Sequence, residues 1–279
     1  MKQRTAWLLV LPMVGWLVFF YLLPLGAVAL QSFHLVTPDY EIGQEWTLEN
    51  YRRALNPDYY PVVLRSAGYA AATTLACLVL GYPLAYFIAL HGGRHKSLFL
   101  LLLMLPFWTS YLVRTYCWMT LLQTEGLLNT VLFEPWLGRP LDMLATDGSV
   151  ILGLTYGFLP FATLPIYVAL ERIDRSLLEA SADLGGSPTS TLLKVVVPLS
   201  RPGVIAATLL TFVPAMGDFV TPELLGGPST ITIGQAIQEQ YLQLFDWPFG
   251  AALALLLMVL MLIGIALYVR LSGSERVLA

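Results

Sequence analysis

ERIDRSLLEASADLGGSPTSTLLKVVVPLSRPG, residues 171–203, separates two long apolar runs and carries its own start and stop signals. Asp174 is suited to cap a helix start. Leu177, Leu178, Ala182 and Leu184 then supply an apolar side, while Glu179 and Asp183 stand one turn apart on another. Gly185-Gly186 ends that helix, as glycine commonly does. Ser187 or Thr189 can open a second short helix, with Pro188 in its first turn. Pro198 and Pro202 break the chain before the next apolar run. The stretch reads as a helix–turn–helix lying along a membrane surface, with exposed apolar residues that need a partner.

On either side the chain is strongly apolar. Of its 279 residues 57% are hydrophobic and only 12% charged, where a soluble domain carries about a quarter. Such a chain cannot cover a globular surface with polar groups, so lipid is expected to be its solvent over much of its area. A bilayer core of about 30 Å needs about 20 apolar residues rising 1.5 Å each. Six runs qualify: 7–31, 62–90, 97–122, 149–170, 202–218 and 246–271. The expected fold class is an all-α integral membrane protein with six transmembrane helices, a single transmembrane domain over 1–279 with 171–201 as its extended inner loop. The first run follows Lys2 and Arg4 and contains Ala27-Val28-Ala29, which resembles a signal-peptidase site. A signal h-region covers only about 7–15 residues, so this longer run is read as an uncleaved helix. Cys77 and Cys117 lie inside apolar runs and are read as buried small hydrophobes. His34, His91 and His95 stand at expected helix ends with no Cys/His cluster, so no metal site is expected.

Lys and Arg in short loops set the orientation. With the N-terminus inside, the inner segments hold Lys2, Arg4, Arg94, Lys96, Arg172, Arg175, Lys194, Arg201, Arg270 and Arg276. The outer ones hold only Arg52, Arg53 and Arg139. Both termini and the 171–201 loop are therefore expected in the cytoplasm. Of the 18 acidic residues, Glu171, Asp174, Glu179, Asp183 and Glu275 fall inside. The other thirteen, among them Asp218, Glu223, Glu239 and Asp246, face outward or lie at outer span ends. Acidic residues barely affect topology. Their outward excess either mirrors the positive-inside rule or forms an entrance that concentrates cations.

The loop resembles that of ABC importer permease subunits, whose motif runs Glu-Ala-Ala, three residues, Gly, nine residues, a hydrophobic residue, one residue, a hydrophobic residue and Pro. Glu179-Ala180-Ser181, Gly185, Val195, Val197 and Pro198 stand at those spacings, with Ser181 replacing one small residue by another. The resemblance implies that this segment is the coupling helix seated in a groove of the ATPase subunit. Glu179, with Ala180, Ser181 and Asp183 beside it, would meet a basic residue there, Gly185 would permit the bend, and Pro198 would close the motif. It also implies a type I importer permease fold.

Two further stretches narrow the resemblance. One is Leu105–Tyr116, LPFWTSYLVRTY; the other is Pro214–Gly227, PAMGDFVTPELLGG, followed by Ile233-Gly234 and Asp246-Trp247-Pro248. Both are similar to the permeases of spermidine/putrescine importers, over most of the chain from Trp7 to Arg270. Relatives for other small organic ions share these stretches. The residues add their own reading. Pro106 near the middle of the third run removes one backbone hydrogen bond, which neighbouring helices or water can offset. Arg114 lies toward the outer interface, either paired with an outer carboxylate or touching substrate. Trp108, Tyr111, Tyr116 and Trp118 either form an outer aromatic belt or line a pathway for a cation. Met216–Gly227 interrupts a helix where the membrane ends. Broken backbone at depth needs protein or a water-filled cavity to satisfy it. Asp218 is accordingly a site candidate, with Phe219 as a gate and Glu223 at the outer end. The plainer reading is a re-entrant turn that Asp218 caps.

No phosphate-binding loop is present, since no Lys follows a Gly anywhere in the chain. The chain is expected to be a transport subunit rather than an enzyme, with no cofactor of its own; ATP and Mg²⁺ would sit on partner ATPase subunits. The resemblance implies two ATPase subunits, a second permease and an external substrate-binding protein in a bacterial inner membrane, with lipid around them and no nucleic acid. A stand-alone secondary transporter usually needs more spans and internal repeats, and no repeat of the two halves is evident. A membrane enzyme would need a nucleophile–base pair or metal cluster within a span, and none is found.

Overall fold

The structure, a computed structural model, describes residues 2–37 and 39–271, without the side chains of residues 2–9 and 137. Glu275 and Arg276, assigned above to the inner side, lie outside the described residues. Among those described, all regular elements are helical, and one isolated antiparallel bridge joins Val36 to Ile42. In chain order, α1 (Lys2–Leu17) runs through a π-helical turn at Val18–Leu22 into α2 (Leu23–Gln31). There follow α3 (Glu49–Ala54), α4 (Tyr60–Tyr86), α5 (Lys96–Met104), α6 (Tyr111–Leu122), α7 (Glu134–Leu137) and α8 (Asp147–Glu171). The loop contributes α9 (Arg175–Asp183), α10 (Pro188–Thr191) and α11 (Val197–Leu199). The chain continues with α12 (Arg201–Gly217), α13 (Val220–Leu225), α14 (Ile233–Leu242) and α15 (Trp247–Leu271).

Among the described residues, four helical stretches are long and apolar enough to cross a membrane: Val10–Gln31, Pro57–His91, Asp147–Glu171 and Trp247–Leu271. Two bent pairs bring the number to six if each pair is one span. Gly93–Trp108 and Tyr111–Leu122 meet at 87°, and Pro188–Leu199 and Arg201–Gly217 at 65°. The first bend departs from the uninterrupted helix expected over 97–122. Its cause is local. Pro106 withdraws a donor, the helix tightens to a 3₁₀ turn at Leu105–Trp108, and Thr109 (ψ 156°) and Ser110 (ψ 139°) are extended.

The chain divides into two compact units, Met1–Pro61 with Ala236–Leu262, and Val62–Gln235 with Ile263–Ala279. In the first unit, residues 10–24 are exposed on every helical face. A soluble protein rarely exposes so large an apolar surface; lipid solvates it. After this helix the chain is held by the buried Asn50 side chain, which donates to the carbonyls of Ser32 at 3.0 Å and His34 at 2.6 Å. Arg53 pairs with Asp246 at 2.9 Å and lies 4.0 Å from the ring centre of the buried Phe249.

In the second unit α8 packs along α12, and the seam is made of small and hydroxyl residues. Cys77, Ala85 and Ala89 from α4 and the turn after it, Ala162, Ile166 and Leu170 of α8, Val196, and Ala207 of α12 form the buried centre of this unit. Without a hydrophobic force between helices in lipid, close backbone approach and hydroxyl hydrogen bonds hold such seams. A Cβ on Gly203 would stand 2.5 Å from Ala169 Cβ and 2.7 Å from the Pro165 carbonyl oxygen, so only glycine admits this approach. The Thr211 hydroxyl, fully buried, lies 3.3 Å from that of Thr74 on α4.

Candidate functional site

Polar residues collect at the break that follows α12. The helix ends at Gly217, and Asp218 turns extended with φ −67° and ψ 130°. Its Oδ1 accepts from the backbone N–H of Val220 at 2.8 Å and of Thr221 at 3.3 Å, capping α13 as aspartate caps helix starts. Its Oδ2 accepts from the Thr221 hydroxyl at 3.0 Å and from the Tyr111 hydroxyl of α6. The two hydroxyls themselves are 2.5 Å apart. Four protein donors thus converge on one carboxylate, which has about four lone-pair sites. Of the residues singled out at this end, the structure joins Asp218 and Tyr111. Glu223 is exposed and accepts from Gln235 Nε2 at 2.9 Å. Trp108 is 76% exposed and Phe219 41%, and neither hydrogen-bonds to Asp218.

Arg114 corrects an expectation. No carboxylate pairs with it among the described residues. Its guanidinium lies 4.4 Å from the ring centre of Phe107 and 5.6 Å from that of Tyr111, and its Nε and Nη1 are covered without a hydrogen-bond partner. Tyr111 stands between the charges: its ring takes the cation and its hydroxyl takes Asp218. The four aromatic residues singled out in this region differ in their surroundings. Trp118 packs edge-on against Tyr156 at 5.4 Å, and Phe107 stacks on the same ring at 5.7 Å. Trp108 and Tyr116 remain exposed. Cys117 is exposed rather than buried, and Cys77 is buried as expected.

The 171–201 loop forms a second polar concentration. Asp174 Oδ1 accepts from the Ser176 N–H at 2.9 Å, and the bonds from Ser176 hold its carboxyl below the ordinary value. Ser187 caps α10, accepting from Ser190 N–H at 3.3 Å, with Pro188 at the first position. Between the two helices Gly185 has φ +78°, a left-handed conformation that glycine adopts without the backbone strain other residues incur. The N–H groups of Gly185 and Gly186 donate to Ala182 and Ser181 carbonyls, both at 2.9 Å. The Ser181 and Thr191 hydroxyls, 2.8 Å apart, tie the helices together. Glu179, Ala180, Asp183, Gly185 and Pro198 are exposed, and Leu184 at the turn is 89% exposed. Neither Glu179 nor Asp183 enters an ion pair among the described residues. Within the same limits, no cluster of His, Cys, Asp or Glu can hold a metal ion.

The tie between Tyr111 and Asp218 is not visible in the sequence, because 107 residues separate them. The local caps at Asp174 and Ser187 are, because their partners lie two or three residues away.

Residues 65–276 match the family of binding-protein-dependent transport system inner membrane components. The chain is 42% identical over 267 residues to the spermidine/putrescine transport system permease protein PotB of Escherichia coli, covering 95% of this chain and 96% of that one. Its fold is that of a chain in a bacterial ABC transporter involved in importing the acidic polysaccharide alginate. The TM-score is 0.75 at 15% identity, over 98% of this chain and 96% of the other. A second structure, of a bacterial alginate ABC transporter in complex with an alginate pentasaccharide-bound periplasmic protein, gives 0.73 at 15% identity over 99% and 96%. With the family match spanning most of the chain, and the sequence identity nearly all of it, this protein belongs to the inner-membrane permease components of binding-protein-dependent ABC importers.

Proposed function

We propose that this chain is a channel-forming subunit of an importer for polyamines such as spermidine and putrescine. An external binding protein delivers the substrate, and ATP hydrolysis on separate subunits drives uptake. The observation that carries the substrate is the 42% identity, along almost the whole of both chains, with a spermidine/putrescine permease. The charge distribution agrees: thirteen of the 18 acidic residues fall on the outer side of the expected topology, and a negative entrance raises the local concentration of cations. Salt screens such a field over about 8 Å, so carboxylates beside the pathway count most. Glu223, exposed on α13, is one; Asp218, held by four donors, acts by shaping the break. Trp108 and Phe219 offer open aromatic faces, worth about 0.5–2 kcal/mol to a passing cation.

In this reading both termini lie in the cytoplasm. The exposed Glu179, Ala180, Asp183 and Gly185, with the half-buried Ser181 behind them and Pro198 closing the motif, dock on an ATPase subunit. The working assembly is two ATPases holding ATP and Mg²⁺, this permease, a second permease and one binding protein. The chain is to be reconstituted with those partners in proteoliposomes, and uptake of radiolabelled spermidine measured with ATP inside. ATP-dependent uptake, competed by putrescine and not by organic anions, is expected. Uptake of a different organic ion without spermidine would overturn the substrate and leave the importer class.

A further inference from the structure

The 171–201 loop is fastened at both ends to helices that do not carry it. At its entry, Glu171 is the last residue of α8, and Lys96, the first residue of α5, donates to both of its carboxylate oxygens at 2.9 and 2.8 Å. At its exit, the fully buried Ser200 joins α11 to α12, and its hydroxyl lies 2.8 Å from that of Tyr82 on α4. Between these points the base of the loop is core, with Val196 buried among Ala85, Ala89 and Leu170, whereas its turn at Leu184 stands free. Neither fastening builds the helices it joins, since the partners are 75 and 118 residues apart. The entry fastening is not a source of much stability, because a partly exposed Lys–Glu pair contributes little.

Resting on the reading of this loop as the ATPase contact, we propose that the two fastenings are clamps that pass its displacement to α4 and α5. With both closed, α4, α5, α8 and α12 move as one body. With either open, the loop tips without moving the helix it has lost. The entry clamp matters most, because α5 leads through the bend at Thr109 to α6, whose Tyr111 holds Asp218. A packed and hydrogen-bonded chain of this kind is what carries coupling between distant sites. Lys96, Glu171, Tyr82 and Ser200 are thus positioning residues for transport.

The test uses the complete complex in proteoliposomes and reads radiolabelled spermidine moved per ATP hydrolysed. The wild type is measured first, so that failure of the substrate assignment shows before any variant is compared. Lys96→Glu and Glu171→Lys are each expected to lower the ratio at least fivefold, and the double exchange to restore it within twofold. Tyr82→Phe and Ser200→Ala are each expected to lower it, with the pair together no worse than either alone. An unchanged ratio in the single variants, or a double exchange no better than its parents, overturns the clamp. If the charge exchanges prevent assembly, Tyr82→Phe decides, because it removes one oxygen atom: an unchanged ratio there overturns the proposal. Glu179→Lys separates the two ideas. Intact substrate-stimulated hydrolysis in that variant removes the ATPase contact itself. Loss of stimulation there, alongside normal ratios in Lys96→Glu and Tyr82→Phe, removes the clamp alone.

Discussion

Asp218 accepts from two backbone N–H groups and two hydroxyls, and one of those hydroxyls belongs to a helix more than a hundred residues earlier in the chain. Removing a donor to a charged acceptor costs roughly 1–3 kcal/mol. Tyr111→Phe and Asp218→Asn are therefore each expected to slow spermidine uptake several-fold while the complex still assembles. Both variants cut the same tie, so the double variant is expected to be no slower than the worse single. A double-mutant cycle on uptake rates checks this, and strictly additive losses would mean that the residues act separately. From sequence, Asp218 could be read as a cap or as a pathway residue, and only the cap was legible in detail. An aspartate two residues before a backbone N–H announces its own local bond. A tyrosine hydroxyl announces nothing about which of many acceptors it will meet. For the same reason the sequence leaves Arg114 open between an outer carboxylate and substrate, when its neighbours in space are the rings of Phe107 and Tyr111.

Helices α9 and α10 were readable because every signal that bounds them lies within four residues: Asp174, Gly185, Ser187 and Pro188 each act on adjacent backbone. The bend between α5 and α6 was not readable. Pro106 marks a missing hydrogen bond, but proline inside a span is also tolerated without a sharp turn, as Pro160 and Pro165 are within α8. The turn at Gly185 gives a clean test. A Cβ there meets no atom of this chain within 4 Å, so within the chain the cost of substitution is backbone strain at φ +78°. A bulky residue held in this conformation costs about 1–2 kcal/mol. Gly185→Val is expected to abolish most substrate-stimulated ATP hydrolysis by the complex. Gly185→Asn, which tolerates positive φ, is expected to keep most of it. Equal rates in the two variants would show that the turn's geometry is not used in coupling.

Across the whole molecule, composition and periodic apolar runs were enough to place lipid as the solvent. Pairings between distant segments had to come from the fold. The sequence lacks any Gly–Lys phosphate loop, so the purified chain is expected to hydrolyse no ATP, measured as phosphate release in detergent or nanodiscs. Hydrolysis by the isolated chain would refute its place as a passive subunit. The bend at Thr109 also bears on how the protein is made. Helix α6 opens with backbone N–H groups that have no helical partner, and its Tyr111 hydroxyl waits for Asp218 and Thr221, 107 and 110 residues further along. A ribosome adding 5–20 residues per second needs roughly 5–20 s to supply them. The Tyr111 hydroxyl is therefore synthesised seconds before its partners exist, and α6 has to wait without them until Asp218 and Thr221 arrive.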